Sequence, residues 1–264
     1  MNDNLNIPLI ANKDYAAPSV FLPENLLREA RRQKSISDCP VPDICILDPD
    51  GDLAEYLLKT GQSEKNDCWA CYHSKLYNFT IDNRTIGIIP CIVGASYAVL
   101  VAEQLFVSGC EHLISVTSAG IINQTSNDKR FALITESVRD EGTSYHYLPK
   151  ERLACLSPNL REKLSHNITS DNCPYFEAKS WTTDAPYRET QIAISAMEKE
   201  GVTCVEMEAS ALYAFAEAKS KNVVCFAHLT NTMAQNEGDF EKGEHFGSID
   251  TLNLLSFTIK KLLP

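Results

Sequence analysis

Apolar and polar residues alternate in short blocks along most of the chain, and the apolar positions switch repeatedly between the periods of strands and helices. Short apolar runs rich in β-branched residues predict strands at 43–47, 112–116, 130–140, 202–206 and 222–230. The segments "YNFTID" and "RTIGIIPCIV" predict a hairpin that turns at Asp82 and Asn83.

Segments with a helical period separate most of these strands. They predict helices at 23–36, 96–109, 158–168, 188–201, 207–221 and 248–263, and Ser248 or Asp250 is expected to cap the last one. Such alternation predicts the α/β class, a three-layer sandwich in which helices flank a central mixed sheet. The stretch "SDCPVPD" interrupts the pattern, so we expect residues 1–42 to form an arm packed on a single domain of residues 43–264.

Composition narrows the classes of function. The 264 residues carry a formal net charge of −11, unlike the basic surface of a general nucleic-acid binder. No apolar run reaches the roughly 18 residues of a membrane span. The start "MNDNLNIPLIANKDY" lacks the basic and apolar regions of a signal peptide. These features predict a cytoplasmic protein without nucleic-acid or membrane partners.

The ten cysteines stand mostly singly inside apolar runs, which predicts buried, reduced thiols. Cys68 and Cys71 form the only C-x-x-C pair, with His73 close by. A structural zinc site needs four ligands, and no second pair of suitable spacing exists. We therefore predict neither a bound metal nor an organic cofactor.

Polar residues follow three of the predicted strands. "TSAG", with Thr117 and Ser118, follows "HLISV"; Glu208 follows "VTCVE"; and "LTN", which ends at Asn231, follows "NVVCFAH". Each stretch by itself is typical of a turn or a cap. Because ligands of α/β sheets bind near the carboxyl ends of strands, neighbouring strands would bring Ser118, Glu208 and Asn231 to one cleft.

Residues 201–216, "GVTCVEMEASALYAFA", resemble the signature of nucleoside phosphorylases of the purine and uridine type, which is close to G-x-x-x-V-E-M-E-x-x-A-L. Three further segments resemble parts of that family in the same order: "VGASYAVLVAEQLFVSGCEHLISVTSAG" (93–120), "VRDEGTSYHYLP" (138–149) and "WTTDAPYRET" (181–190). The resemblance extends over roughly residues 43 to 260. It implies the nucleoside phosphorylase fold and cleavage of a nucleoside N-glycosidic bond.

The resemblance implies that Met207 and Glu208 hold the ribose. A carboxylate that accepts hydrogen bonds from the 2′- and 3′-hydroxyls also favours positive charge on the sugar as the glycosidic bond breaks. Glu206 is a further substrate-binding candidate, although a supporting role fits it better. From the residues alone, Met207 is equally consistent with core packing, and Glu208 with a carboxylate at a helix N-terminus.

On the base side the resemblance points to Asn231, where many family members have aspartate. An amide can donate to one ring atom and accept from another, but it cannot protonate a purine nitrogen. Tyr187, Arg188 and His146 are further candidates for the base pocket. Arg188 either meets a base carbonyl or pairs with a carboxylate such as Glu189, and His146 either faces the pocket or packs within its loop.

The chain departs from the family where phosphate should bind. The resemblance implies three arginines, but the corresponding segments are "LDPDGDLAEYL" (47–57), "CWACYHSK" (68–75) and the position of Ser115. Three carboxylates that would repel phosphate occupy the first segment: Asp48, Asp50 and Asp52. Candidate replacement cations are Arg28, Arg31, Arg32 and Arg84.

Three functions therefore stay open. The leading prediction is phosphorolysis to free base and ribose 1-phosphate, with inorganic phosphate as co-substrate. The second is hydrolysis, because "TSAG" resembles the "GSAG" of adenosylhomocysteine-type nucleosidases; Glu24 or Glu29 would then activate water. The third is a sensor that binds a nucleoside without cleaving it. The resemblance also implies a homo-oligomer: a dimer, trimer or hexamer.

Overall fold

The computed structural model describes residues 7–123, 129–232, 237 and 239–263, and a single mixed sheet runs through this part of the chain. Its strands are β1 (Ile44–Asp48), β2 (Glu64–Lys65), β3 (Tyr77–Ile81), β4 (Arg84–Pro90), β5 (His112–Ile121), β6 (Phe131–Asp140), β7 (Leu153–Cys155), β8 (Tyr175–Thr183), β9 (Cys204–Glu206) and β10 (Asn222–Asn231). The helices are α1 (Pro23–Lys34), α2 (Asp52–Lys59), α3 (Ala95–Val107), α4 (Pro158–Ser165), α5 (Gln191–Lys199), α6 (Ala209–Lys219) and α7 (Ser248–Leu262).

Part of the sheet closes on itself. The strand order is β10-β6-β8-β9-β5-β1-β4-β3-β2, with β7 paired to β6, and β10 pairs with β5 as well as with β6. Strands β5, β10, β6, β8 and β9 therefore form a ring, from which β1, β4, β3 and β2 extend. Helices α1 and α6 pack against α3, and α2 and α4 pack against α7. The predicted α/β class with a central mixed sheet flanked by helices is confirmed; the closed ring was not predicted.

Helix α6 lies deep in the molecule. Eight consecutive residues, from Ala209 to Ala216, are buried, so this helix has no solvent face over its first two turns. A helix that is apolar all round is typically an interior one, and "ASALYAFA" has that composition. No helix in the described part of the chain is long and apolar enough to cross a bilayer.

Several element boundaries differ from the prediction. Strands β5 and β10 continue to Ile121 and Asn231, so "TSAG" and "LTN" lie inside strands rather than after them. Helix α2 and strand β8 were missed. Gly247 precedes α7 and no side chain caps it; the Ser248 hydroxyl donates to the carbonyl oxygen of His245 instead. The hairpin prediction is confirmed, because Asp82 and Asn83 join β3 to β4 with positive φ angles.

A disulfide joins Cys39 to Cys68, so the prediction of a reduced thiol is wrong for Cys39, and Cys91 and Cys155 are exposed rather than buried. The disulfide pair is 29 residues apart and forms because the chain after α1 packs beside residues 68–71. Lys34, at the end of α1, stabilises the contact with residues 68–71, because its Nζ donates to the carbonyl oxygens of Ala70 (3.0 Å) and Cys71 (2.6 Å). Long-range pairing of this kind leaves no signal in local spacing.

Tyr213 connects α6 to two strands and generates a stability prediction. Its hydroxyl donates to the carbonyl oxygen of Ile134 at 2.5 Å, beside a register shift in β6, and accepts from the backbone N–H of Cys225 at 3.0 Å.

Tyr213→Phe leaves both buried backbone groups without a partner, so we expect a loss of about 1–3 kcal/mol in the free energy of unfolding. Urea unfolding measures this loss. Tyr187→Phe is the matched control, because its side chain is 99% exposed; an equal loss in both variants would contradict the assignment.

Candidate active site

Glu208 lies at the junction of β9 and α6. Strand β9 runs antiparallel to β5, with Val205 opposite Gly120 and Cys204 opposite Ile121. The chain beyond β9 therefore returns along β5 toward Ser118. Glu208 is only 1% exposed although it carries a carboxyl group. Glu208 is thus brought toward Ser118 by this antiparallel return, whereas Asn231 reaches the same end of the sheet on β10, which runs parallel to β5.

The Glu208 carboxyl group is half satisfied. Its Oε1 accepts the backbone N–H of Gly94, at the N-terminus of α3, at 2.7 Å. Its Oε2 has no hydrogen-bond partner among the described residues. Burial, followed by the negative charges of Glu206 and Asp50, raises the pKa of Glu208 to about 8, and the Gly94 N–H and the nearby Thr117 hydroxyl oppose this shift. Glu208 thus presents a buried oxygen that can accept a hydrogen bond from a ligand.

Glu206, by contrast, is fully satisfied. Its Oε1 accepts from the hydroxyls of Ser180 (3.0 Å) and Thr182 (2.5 Å), and its Oε2 accepts from the N–H groups of Glu208 and Ala209, both at 2.7 Å. Burial raises the pKa of Glu206, and these four donors oppose the shift. With both oxygens used, Glu206 fixes the turn that carries Glu208. This arrangement favours the supporting role over direct substrate binding.

Glu141 fastens a neighbouring loop to the same helix. Its carboxylate accepts the N–H groups of Thr143 (2.5 Å) and Ser144 (3.0 Å) and the hydroxyl of Ser210 (2.9 Å), in the first turn of α6. The loop that carries His146 is therefore held beside the helix that Glu208 precedes. "RDEGTSYHY" was singled out in the sequence, but this role of Glu141 was not predicted.

A second set of polar groups lies around Ser118. Both the backbone N–H and the hydroxyl of Ser118 donate to Asp50 Oδ2, at 3.0 and 2.5 Å. Lys242 Nζ lies 2.5 Å from Asp52 Oδ2 and 3.4 Å from Asp50 Oδ2. Partial burial opposes the charge of Lys242, but the two carboxylates more than offset this effect and raise its pKa. Asp50 also raises the pKa of Glu208, so the two sets of groups are electrostatically linked.

Asp48 holds the loop that presents Asp50. Its buried carboxylate accepts the N–H groups of Gly51 (3.2 Å) and Ala54 (2.9 Å), which join the end of β1 to the start of α2. Burial raises the pKa of Asp48 to about 7, against the effect of these donors. Asp48 is thus a structural carboxylate of this loop.

His228 completes the wall beside Ser118. The two residues are register partners in β10 and β5, and the imidazole stacks on Phe131 with 4.7 Å between ring centroids. Its Nε2 is buried without a hydrogen-bond partner in the described ranges. Burial and the positive charges of Arg130 and Lys242 lower its pKa to about 4, so the ring is neutral at pH 7. Asp50, Ser118 and His228 line a cavity of about 20 Å³, enough for a single water molecule.

Comparison with known proteins identifies the family. A model of the phosphorylase superfamily matches residues 43–256. The chain belongs to the phosphorylase superfamily. A uridine phosphorylase from Vibrio fischeri ES114, solved with 6-hydroxy-1-naphthoic acid, is similar in structure with a TM-score of 0.66 at 20% identity, covering 87% of this chain and 91% of that one. A purine nucleoside phosphorylase from Toxoplasma gondii, in complex with immucillin-H, has a TM-score of 0.69 at 15% identity, covering 84% and 90%. The resemblance seen in the sequence is confirmed.

The substrate-binding residues predicted from the sequence lie in two regions of the structure, one near β5 and one on exposed loops. Thr117, Ser118, Glu206, Met207 and Glu208 lie together where β5 meets the turn after β9. Met207 is half-buried in this turn.

Asn231 ends β10 opposite Gly120, and its amide nitrogen donates to the Thr230 hydroxyl at 3.2 Å. The residues that follow it, 233–236, lie outside the described ranges. Its contact with the base stays a prediction.

The base-pocket candidates lie farther out. Tyr187 and Arg188 belong to an exposed 3₁₀ turn, and the Tyr187 side chain is 99% exposed. His146 is exposed, and its Nδ1 lies 2.9 Å from the Nζ of Lys13 in the N-terminal arm. The single chain does not enclose these side chains, so their roles on the base stay predictions.

The arginines proposed as replacement cations are engaged elsewhere in this chain. Arg28 and Arg32 pair with Glu29, and Arg31 pairs with Asp38, all in or just after α1. Glu29 forms two of these pairs and Glu24 lines the groove beside α1, so activation of water by either residue stays a prediction.

Arg84 begins β4, whereas Pro90, the register partner of Asp48, ends it. These two residues are about 20 Å apart along the strand. The cations near the site are instead Lys242 and Arg130, which sequence reasoning missed because only tertiary folding brings them to β5 and β10.

The raised pKa of Glu208 predicts a pH effect on stability. Between pH 4.5, its ordinary pKa, and about 8, the folded chain keeps a proton that the unfolded chain has released. Stability conferred by the neutral form is therefore lost as pH rises, by at most about 1.4 kcal/mol per pH unit. Glu208→Gln cannot release this proton. Urea unfolding of both proteins between pH 5 and 8 should give stabilities that diverge with pH, and parallel curves would contradict the assignment.

Proposed function

We propose that this phosphorylase-superfamily chain cleaves the N-glycosidic bond of a nucleoside by phosphorolysis, releasing the free base and ribose 1-phosphate. The observation that carries the proposal is the buried, unpartnered Oε2 of Glu208. A buried carboxyl oxygen without a donor costs free energy, and two ribose hydroxyls are donors of the right kind. Family membership supports the reaction class.

On the sugar side, Glu208 acts in its ionised form. Hydroxyl donors from the ribose stabilise the carboxylate. Nucleoside binding therefore lowers the pKa of Glu208 and favours release of the proton from its carboxyl group. The negative charge then lies close to the sugar as it becomes oxocarbenium-like, and stabilises that state more than the neutral nucleoside. Glu206 prevents the turn from shifting, and Met207 supplies an apolar surface for the ribose.

On the base side, Asn231 is proposed to donate a hydrogen bond to the departing base and to accept one from it. An amide has both capacities, and hydrogen bonds to a leaving group that gains negative charge lower the barrier. A panel of purine and pyrimidine nucleosides determines which base the site accepts. Tyr187, Arg188 and His146 are proposed to contact the base.

On the acceptor side, the N–H and hydroxyl of Ser118 are proposed to bind phosphate. Two donors of one residue that converge on one point are suited to an oxyanion. Lys242 and Arg130 are the nearby cations that would balance its charge. No metal or organic cofactor is required for this scheme.

Hydrolysis is the second candidate, and one observation favours it. Asp50 occupies the two Ser118 donors, and the adjoining cavity of about 20 Å³ accommodates a water molecule. A carboxylate beside a water molecule is suited to activate it as a nucleophile. A non-catalytic nucleoside sensor is the third candidate.

A nucleoside panel assayed with and without phosphate tests the proposal. We expect release of base that depends on phosphate and yields ribose 1-phosphate. Release of free ribose without phosphate would establish hydrolysis, and binding without any cleavage would establish the sensor.

Glu208→Gln should reduce kcat/KM by about 10²–10³-fold, because it removes the charge that stabilises the sugar. Glu200→Gln is the matched control, since Glu200 forms an exposed ion pair with Arg152. Steady-state kinetics with the preferred nucleoside, together with circular dichroism to verify folding, measures the effect. Near-normal turnover in Glu208→Gln would remove Glu208 from the mechanism.

The pKa of Glu208 also predicts the pH profile. Because the free site is protonated below about pH 8 and the ionised form is active, kcat/KM for the nucleoside at saturating phosphate should rise with pH and level off above about 8. Initial rates between pH 6 and 9 measure this profile. A value that falls across this range would contradict the need for an ionised Glu208.

We further propose that the protein is a cytoplasmic homo-oligomer. Oligomerisation is implied by the family resemblance, and the acidic net charge of −11 supports a protein without nucleic-acid partners. Light scattering on the purified protein determines the number of subunits.

A further inference from the structure

The two donors of Ser118 are already occupied by an anion that belongs to the chain. The N–H and the hydroxyl both point at Asp50 Oδ2, at 3.0 and 2.5 Å. A single oxygen that receives two converging donors from one residue lies where the oxygen of a bound oxyanion would lie. Asp50 is thus positioned as an internal substitute for such a ligand.

Charge around this position holds Asp50 in place. Lys242 Nζ is 3.4 Å from Asp50 and 2.5 Å from Asp52, and its side chain is only 12% exposed. Two carboxylates share one ammonium group, so the set carries a net negative charge. An additional anion is repelled while Asp50 remains there, because opposing charges act strongly at partly buried sites.

The loop allows Asp50 to leave without unfolding. Its backbone is fixed by Asp48, whose carboxylate accepts the N–H groups of Gly51 and Ala54 and does not involve the Asp50 side chain. The Asp50 side chain is 29% exposed, so rotation toward solvent is open to it. Displacement of Asp50 frees both Ser118 donors and one side of Lys242 at the same time.

We propose that Asp50 is an internal competitor for the oxyanion acceptor: phosphate displaces it from Ser118 and takes Lys242 as counter-ion. Asp50 is then a selectivity residue that keeps the affinity for phosphate low. The identity of the anion rests on the proposed function, whereas the competition itself follows from the contacts of Ser118. A neutral acceptor such as water does not need this displacement.

Phosphate binding without nucleoside tests this proposal independently of turnover. Isothermal titration calorimetry with inorganic phosphate should show binding to Asp50→Ala and Asp50→Asn that is at least about tenfold tighter than to the wild-type chain. Asp50→Asn keeps the shape of the side chain, so it serves if the alanine variant does not fold. Circular dichroism verifies folding of each protein.

Asp52→Asn is the matched control, because it removes one carboxylate from Lys242 and leaves the Ser118–Asp50 contact intact. It should gain less affinity for phosphate than Asp50→Asn. If both variants gain equally, general charge repulsion accounts for the effect and the competition is disproved.

Two further measurements locate the anion. Adding Lys242→Met to Asp50→Ala should abolish most of the gain in affinity, and phosphate should shift the amide NMR signal of Ser118 in Asp50→Ala. No gain in either Asp50 variant, or a gain that neither depends on Lys242 nor moves the Ser118 signal, would overturn the proposal. Loss of nucleoside cleavage in these variants concerns the proposed function and leaves the binding result unaffected.

Discussion

Two carboxyl groups buried two residues apart, those of Glu206 and Glu208, place the strongest constraint on this structure. Burial raises the cost of ionising both groups, and the charge of Glu206 raises it further for Glu208. The fold satisfies Glu206 with four donors from β8 and from the start of α6. In the described part of the chain Glu208 has one direct hydrogen-bond donor, the Gly94 N–H, with the Thr117 hydroxyl nearby. The difference leaves a single unpaired oxygen in a rigid setting, which is what a ligand-binding carboxylate requires.

The two halves of the candidate site differ in whether their ligand-binding groups are free or already paired within the protein. The half around Glu208 is preorganised, since its supporting hydrogen bonds come from buried residues of a sheet and an interior helix. The half around Ser118 is closed by Asp50 and Lys242, which satisfy the same groups that an acceptor needs. Under the proposed function, nucleoside binding therefore requires little rearrangement around Glu208, whereas phosphate would have to displace Asp50 from Ser118.

Much of the fold could be predicted from local pattern. Hydrophobic period and turn residues located β1, β6, α1, α3, α6 and α7 and the hairpin at Asp82 and Asn83. Helix α2 was missed because its segment was interpreted by motif rather than by period, and β8 was missed because only its last three residues, in "WTTDAPYRET", were assigned a role. The Cys39–Cys68 disulfide and the ring of strands were missed for another reason: both depend on contacts between distant parts of the chain.

The sequence by itself determined the family, the α/β class and the grouping of Glu206, Met207 and Glu208, because these depend on short segments whose residues are neighbours in the chain. It also revealed that the expected arginines are absent. Only the tertiary structure decided which glutamate keeps an unpaired oxygen and which charged groups surround Ser118. Hydrogen-bond partners, burial and charge pairing are set by residues far apart in sequence, as with Gly94 and Glu208 or Asp50 and Lys242. Local spacing carries no information about such pairs until the chain has folded.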